Sequence, residues 1–354
     1  MSRNDTLMVI SAAVLTLAAL QPSAVRAAEP FYQGKRVTLY ITSGTGGTVN
    51  LMNRLATRYL ASHLPGHPNV IAKNMTGAGG LVGMNYVYNR APKDGTALGG
   101  SLMSVAFAPL YYGTTGPGKN VKFDPTKFAW IASPVRFVNV AVAWHTSKVK
   151  TWKDLYTNEL IVGASGIASS ATVDAIFLKN LLGFKYKIIL GYKSGGDTDL
   201  AILRGEIQGR ATPWSALTNR HPDWLEKKLV RVLYQQGLEH DPTVPKSVPL
   251  LLDLVKDPHK KELLKLAMAK FDMGYPVYAP PGVPKERVAT LRKAFWDTYK
   301  DPRYLADAKK GRLLVAPIKP EKLTEIINQS FAAPGNLSRP SSADWSCLRA
   351  SSSG

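Results

Sequence analysis

The sequence contains a single cysteine among 354 residues, Cys347, which lies close to the C-terminus. One thiol excludes a disulfide framework, and its position leaves the body of the chain without a cysteine nucleophile or a cysteine metal site. The six histidines show no spacing typical of a metal centre. We therefore expect no metal and no cofactor.

Acidic residues are also scarce, because 25 Asp and Glu stand against 45 Lys and Arg for a formal net charge of +20. The basic residues are spread along the chain and mixed with acids, whereas a nucleic-acid binder usually has a clustered basic stripe. We expect no nucleic-acid partner. The charge fits a general attraction of anionic solutes, and equally a basic surface without any particular role.

Long apolar runs are absent from the sequence after its N-terminal segment. The apolar run 7–20 follows Arg3 and precedes a small-residue site that ends at Ala27. This pattern predicts a secretory signal peptide over residues 1–27, cleaved near Ala27, because the run is too short for a stable membrane helix. We expect the mature protein to be periplasmic, soluble and monomeric.

Glycine, by contrast, recurs after strand-like runs. Residues 37–42 are typical of a strand, a glycine-rich turn follows, and the next helical pattern has Leu51, Leu55 and Tyr59 on one face. The same order of strand, turn and helix recurs over residues 69–73, 74–80 and 81–90. Two such units in succession predict a mainly parallel sheet in an α/β fold.

Both glycine turns suit an anion, because glycine lets backbone N–H groups approach a ligand and the following helix points its positive end at it. A dinucleotide fingerprint starting at Gly44 fails at Val49, and neither turn has the lysine of a phosphate loop. A carboxylate or small oxyanion remains as the ligand. The alternative that these glycines only form tight turns stays open.

A third loop, 165–172, follows the apolar run 160–164 and precedes another helical pattern. It fails the nucleophile-elbow pattern, since Ile167 stands where glycine is required. Its hydroxyls could cap a helix or donate to a ligand oxygen. An exported hydrolase that uses Ser165 or Ser169 remains the alternative.

A fourth unit has a strand at 187–190, a loop at 191–197 and a helix at 198–204. Elsewhere in the chain, the apolar pattern predicts a strand at 96–103 and one continuous helix over 215–228.

Taken together, the motifs resemble the solute receptors of tripartite tricarboxylate transporters, the Bug-type or TctC family. The matching segments lie in family order and span about residues 31–331; they are 41–54, 63–80, 91–96, 149–155, 191–196, 204–206 and 279–288. The resemblance implies a periplasmic receptor, not an enzyme. It would capture a small organic carboxylate and deliver it to ion-gradient-driven membrane subunits, or alternatively report it to a membrane sensor.

The resemblance also implies a periplasmic-binding-protein fold of the second topological type, with two α/β lobes joined by two crossover strands. We place lobe one at 28–140 and 275–334, and lobe two at 141–274. Residues 335–354 do not resemble the terminal helix of similar receptors, and we expect an atypical, disordered tail there.

Carried onto this chain, the family's ligand-binding positions fall on the glycine and hydroxyl loops. The candidates are Thr45, Gly46, Gly47, Thr48, Asn50, Ser165, Gly166, Ser169 and Ser170, with Gly195, Gly196, Asp197, Gly77, Ala78 and Gly79 in second rank. The family commonly has aspartate where this chain has Asn50. An uncharged amide weakens any role in binding a ligand ammonium and improves tolerance of a second carboxylate.

Overall fold

The computed structural model describes residues 29–112 and 116–332. The predicted signal peptide and the predicted tail both lie outside these ranges. No helix in the described ranges is long and apolar enough to cross a membrane.

The described residues form two five-stranded sheets flanked by helices. The strands are β1 (Arg36–Ile41), β2 (Asn69–Asn74), β3 (Ala97–Gly100), β4 (Ala129–Ala132), β5 (Asn139–Trp144), β6 (Leu160–Ala164), β7 (Tyr186–Leu190), β8 (Gly209–Pro213), β9 (Val230–Gln236) and β10 (Val277–Ala279). The α-helices are Thr48–His63, Leu81–Asn89, Met103–Ala106, Ala108–Tyr112, Ser170–Leu182, Gly195–Leu203, Trp214–Arg220, Pro222–Glu226, Pro258–Met268, Lys285–Lys300, Pro302–Lys310 and Pro320–Ala332. Short 3₁₀ helices cover Ala78–Gly80, Gly116–Asn120, Pro125–Lys127, Trp152–Tyr156, Leu251–Leu254 and Ala269–Met273.

The two sheets share one topology. Their strand orders are β2-β1-β3-β10-β4 and β7-β6-β8-β5-β9. The strand next to the edge, β10 or β5, is antiparallel to both of its neighbours, and the other described pairs are parallel. Four of the five strands in each sheet therefore run in one direction, which confirms the predicted mainly parallel sheets.

The antiparallel strand of each sheet is the first one that the chain forms after crossing between the sheets. The chain leaves the first sheet after β4 and enters the second through β5; it leaves the second after β9 and returns through β10. The two-lobed α/β fold is thus confirmed. The predicted lobe boundaries stay a prediction, although β5 begins at Asn139, just before the predicted boundary at 140.

Two local expectations are corrected. Leu51 does not face the core: its exposed fraction is 40 %, because Met52 and Leu55 form the buried stripe of helix Thr48–His63. The predicted helix over 215–228 is two helices, broken at His221. The ring of Pro222 disfavours helical backbone at the preceding residue, so a second helix starts with proline in its first turn.

The predicted strand at 96–103 is also shorter than expected. It ends at Gly100, and Met103 already begins the next helix. Backbone N–H groups of residues 101 and 42 still bond across the end of the strands, to Pro276 and Gly100. The chain therefore turns into a helix at the edge where the parallel strands end.

Candidate functional site

A cavity of about 320 Å³ lies between the two sheets. Residues at or just beyond the carboxyl ends of six parallel strands line it, from both sheets: Thr42, Thr76, Leu102, Ser165, Gly191 and Pro213. In open α/β sheets, ligands bind outside the carboxyl ends of the strands. The cavity therefore occupies the position where this class of fold holds a ligand.

Four helices of nine or more residues begin at the cavity wall. Their N-cap residues, Gly47, Gly80, Ser169 and Ser194, all line it. The helices after Gly47 and Gly80 belong to the half of the molecule that contains the first sheet, and those after Ser169 and Ser194 to the half that contains the second. Because a helix N-terminus presents unpaired N–H groups and a partial positive charge, both walls favour a negatively charged group between them.

The four N-termini differ in how their backbone N–H groups are satisfied. Ser169 and Ser194 each accept a hydrogen bond from the backbone N–H three residues later, at 3.4 Å. In the described part of the chain, the helices that begin after Gly47 and Gly80 have no side-chain cap. No described side chain therefore occupies their first-turn N–H groups.

Eight of the fifteen residues predicted to bind ligand line the cavity: Gly47, Thr48, Gly77, Gly79, Ser165, Ser169, Ser170 and Gly195. The remaining seven do not line it, although they lie in the same loops or in the first turns of the helices that follow: Thr45, Gly46, Asn50, Ala78, Gly166, Gly196 and Asp197. The structure thus brings the four predicted loops together around one cavity. Contact of any of these residues with a ligand stays a prediction.

Asn50 is buried and supports the first glycine loop from behind. Its Nδ2 donates to the Thr45 carbonyl at 2.8 Å. Its Oδ1 accepts from Arg54 Nε at 3.1 Å and from Asn74 Nδ2 at 2.8 Å. An aspartate could not make the first of these bonds, because a carboxylate has no N–H to donate. The amide therefore ties the loop to the end of β2.

The two walls touch at their glycine loops. The N–H of Gly44 donates to the Lys193 carbonyl at 3.2 Å across the cleft. Gly79 has a φ of +71°, and a Cβ added there would lie 2.6 Å from the backbone nitrogen of Ser169. Glycine is required at this position by both its backbone conformation and the facing loop. The cleft is closed in this structure.

The charged residues on the cavity wall are mostly basic. Lys193, Arg210 and Arg220 line it, against Asp199 as the one carboxylate among the described lining residues. Asp199 forms an ion pair with Arg210 and accepts a hydrogen bond from His221 Nε2 at 2.9 Å. Burial raises the pKa of Asp199, but Arg210 and His221 outweigh burial and hold that pKa below its usual range. Asp199 is therefore ionised at neutral pH.

Arg220 is a half-buried cation without a carboxylate partner among the described residues. A Cβ added at Gly196 would lie 3.6 Å from an Arg220 guanidinium nitrogen, so this group sits beside the first turn of helix Gly195–Leu203. Arg220 and Arg210 also lower the pKa of buried Tyr275, against the larger effect of burial, which raises it. A cation and a helix N-terminus thus reinforce each other here.

Part of the wall is apolar. Leu102, Met103, Phe137, Val142, Leu217 and Trp224 line the cavity. The His221 ring stacks on Trp224, with 4.1 Å between centroids and 17° between planes. A cavity with anion-binding groups and apolar flanks suits an organic anion better than a hydrated inorganic one.

Sequence reasoning missed several residues of this wall: Asn139, Asp199, Arg210, Arg220, His221 and Tyr275. They come from three separate stretches of the sequence, 139, 199–221 and 275, and the fold brings these stretches together at the cavity. One signal was present, since Pro222 predicts a helix end that places Arg220 in a last turn. Within the described ranges, no group of three or more His, Cys, Asp and Glu side chains could hold a metal ion.

No protein-family model matches the chain, and no curated protein matches it. Solved structures do. The periplasmic binding protein BugD is 20% identical, with a TM-score of 0.65 over 84% of this chain and 95% of that one. MatC from Rhodopseudomonas palustris with bound malate is 19% identical, with a TM-score of 0.66 over 88% and 99%.

A third structure, R. palustris Rpa4515 with adipate, is 17% identical, with a TM-score of 0.63 over 86% of this chain and 96% of that one. These likenesses place the chain in the class of two-lobed periplasmic-binding-protein folds, as predicted. Within that class, its fold is similar to those of BugD and of a TctC solute-binding protein from Polaromonas, which is 18% identical with a TM-score of 0.58.

Proposed function

We propose that this chain is a periplasmic solute-binding receptor that captures a small organic carboxylate between its two lobes. The observation that carries this proposal is the convergence of four helix N-termini and the unpaired Arg220 on one cavity. Backbone N–H groups, hydroxyls and a guanidinium can replace the hydration that a carboxylate loses on entering the cleft. Structural neighbours with malate and adipate support a carboxylate as the ligand.

The receptor would deliver its ligand to the membrane subunits of a tripartite tricarboxylate transporter. The fold similarity to Bug and TctC proteins supports this assignment, and so does the signal-peptide pattern at the N-terminus. Lobe closure would bury the ligand and present one face made of both lobes, so that only the loaded receptor has the shape that the transporter recognises. The protein would act as a monomer.

Calorimetry tests the proposal with dialysed protein and a panel of di- and tricarboxylates, aromatic acids and acidic amino acids. We expect at least one of them to bind with a Kd well below millimolar. Absence of binding across the panel by folded protein would contradict the proposal. Small molecules released when protein from the native host is denatured would identify the ligand directly.

Arg220→Gln tests whether the unpaired cation contributes to this binding. A charge-assisted hydrogen bond contributes about 1.5–3 kcal/mol, so we expect affinity for the best carboxylate to fall roughly 10- to 100-fold. Arg36→Gln is the matched control, because Arg36 is exposed at the start of β1 and far from the cavity lining. Equal affinities of the two variants would rule out the role of Arg220.

The hydrolase alternative needs an activated serine. The Ser169 hydroxyl instead caps helix Ser170–Leu182 and pairs with Thr172 Oγ1 at 3.0 Å, while His221 Nε2 is directed at Asp199. These contacts favour structural roles for both residues. Incubation with a serine-reactive phosphonate followed by intact mass measurement should leave the mass unchanged, and an adduct on Ser165 or Ser169 would favour the hydrolase.

A further inference from the structure

We infer that the site selects carboxylates that lack an ammonium group, such as unsubstituted, hydroxy or keto acids, and discriminates against the corresponding amino acids. This inference rests on the proposed function, since it concerns the ligand class of the same cavity. It follows from how the charges on the cavity wall are already paired.

An ammonium group that leaves water needs an opposite charge to pair with, as well as acceptor oxygens for its hydrogen bonds. Asp199 is the one carboxylate among the described lining residues, and its two oxygens are both engaged. Oδ1 pairs with Arg210 Nη1, and Oδ2 with His221 Nε2 at 2.9 Å. The side chains of Asp199 and Arg210 are only 10 % and 13 % exposed. A ligand ammonium would have to break this buried pair to reach the acid.

The other charges on the wall oppose an ammonium. Lys193, Arg210 and Arg220 line the cavity, and four helix N-termini add partial positive charge. Asn50 offers no negative charge either, because its amide lies behind the first glycine loop and bonds to Thr45, Arg54 and Asn74. The field that favours a carboxylate therefore disfavours a neighbouring cation.

Three side-chain oxygens without a hydrogen-bond partner belong to described residues of the wall, and all three are neutral: Thr42 Oγ1, Ser43 Oγ and Asn139 Oδ1. Asn139 lines the cavity at the start of β5 and is 4 % exposed, and its Oδ1 has no hydrogen-bond partner among the described residues. A buried amide oxygen gains from a hydrogen-bond donor. A ligand hydroxyl or a bound water can supply this donor without bringing a further positive charge to a wall that is already mostly basic.

Matched ligand pairs test this inference by calorimetry with the dialysed full-length protein. The pairs are succinate and aspartate, glutarate and glutamate, 4-methylpentanoate and leucine, and 3-phenylpropanoate and phenylalanine. In each pair, the second acid differs only by an ammonium at the carbon next to the carboxylate. In every pair that binds, we expect the acid without ammonium to bind at least about 10-fold more tightly.

The outcomes separate this inference from the proposed function. Equal affinities within the pairs, or tighter binding of the amino acids, would overturn the inference and leave a carboxylate receptor standing. Absence of binding by these eight compounds and by the rest of the carboxylate panel would overturn the proposed function, and the inference with it.

Asn139→Asp provides a second test, because it adds a carboxylate to the wall at an unpartnered position. We expect it to shift the preference within a pair toward the amino acid by about 10-fold or more. Asn328→Asp is the matched control, since Asn328 is exposed on helix Pro320–Ala332 and away from the cavity lining. Thermal melts verify that both variants are folded. An unchanged preference in folded Asn139→Asp would overturn the inference.

Discussion

Replacing Gly79 by alanine should block closure of the cleft while leaving the fold intact. Gly79 lies in the second glycine loop, with φ of 71° and ψ of 15°. A Cβ there would lie 2.6 Å from the Ser169 nitrogen and 2.9 Å from the Ala168 nitrogen, both in the facing loop. Real Cβ atoms essentially never approach other atoms within 3.0 Å. The facing backbone would have to move away from residue 79, so the substitution destabilises the closed conformation and not the open one.

The cost of the substitution has two parts that a control can separate. Left-handed backbone costs alanine roughly 1–2 kcal/mol whether the cleft is open or closed, whereas the clash acts only on closure. Gly183 has nearly the same backbone, with φ of 78° and ψ of 16°, and a Cβ there meets no atom within 4 Å. Gly183→Ala should therefore lose similar stability and keep the ability to close.

Calorimetry against the best carboxylate and thermal melts measure the two effects. We expect both variants to lose about 1–2 kcal/mol of stability. Only Gly79→Ala should also lose ligand affinity, by at least about 10-fold, which corresponds to 1.4 kcal/mol. If the two variants bind equally well, the contact between the loops does not contribute to closure around the ligand, and the reasoning fails.

Two further predictions concern stability. The ion pair between Lys270 and Asp174 is buried, so we expect Lys270→Met to lower the free energy of unfolding, measured by urea denaturation, by about 3–5 kcal/mol. Lys293 belongs to an exposed pair, so Lys293→Met should lower it by less than about 1 kcal/mol. Similar losses in the two variants would contradict this prediction. The hydrogen bond from Arg303 holds the pKa of Asp301 well below its usual range. Because the folded-state pKa is the lower one, this stabilisation is complete above the unfolded-state pKa of about 4 and is lost as pH falls further. The stability difference between wild type and Asp301→Asn should shrink from pH 7 toward pH 2.5 in thermal melts, and a constant difference would refute it.

Local signals predicted the four strands that lead into the glycine and hydroxyl loops, together with the loops themselves. The strand at 160–164 has the predicted bounds, because an apolar run that ends in small residues before a hydroxyl-rich loop marks a buried parallel strand. The segment 81–90 contains the predicted helix, Leu81–Asn89, whose buried residues include Leu81, Met84 and Val87. Hydrophobic periodicity is a local property of the sequence, so it predicts strands and helices without knowledge of the overall fold.

The order of strands had no local signal. β5 and β10 are short apolar runs like their neighbours, yet they insert antiparallel into sheets that are otherwise parallel. Their placement depends on where the chain crosses between the lobes, which is a property of the whole topology. The resemblance implied two crossover strands between the lobes, and the strand order was not predicted.

The charged side of the site could not be predicted for the same reason. Asp199 and Arg210 lie 11 residues apart on a helix and a strand, and only strand pairing places them together at the cavity. The helix break at His221, which positions Arg220 and His221, was not predicted, because Leu217, Trp224 and Leu225 keep a helical spacing on either side of it. The glycine loops were found because conformational demands on glycine are visible in sequence.

Small-angle scattering with and without the carboxylate that binds best tests the central claim most directly. Dialysed wild-type protein should contract when the ligand is added, with a smaller radius of gyration, because the lobes close around it. Gly79→Ala should not contract at the same ligand concentration. An unchanged radius of gyration in wild-type protein that is saturated with ligand would contradict capture of a carboxylate by closure of the two lobes.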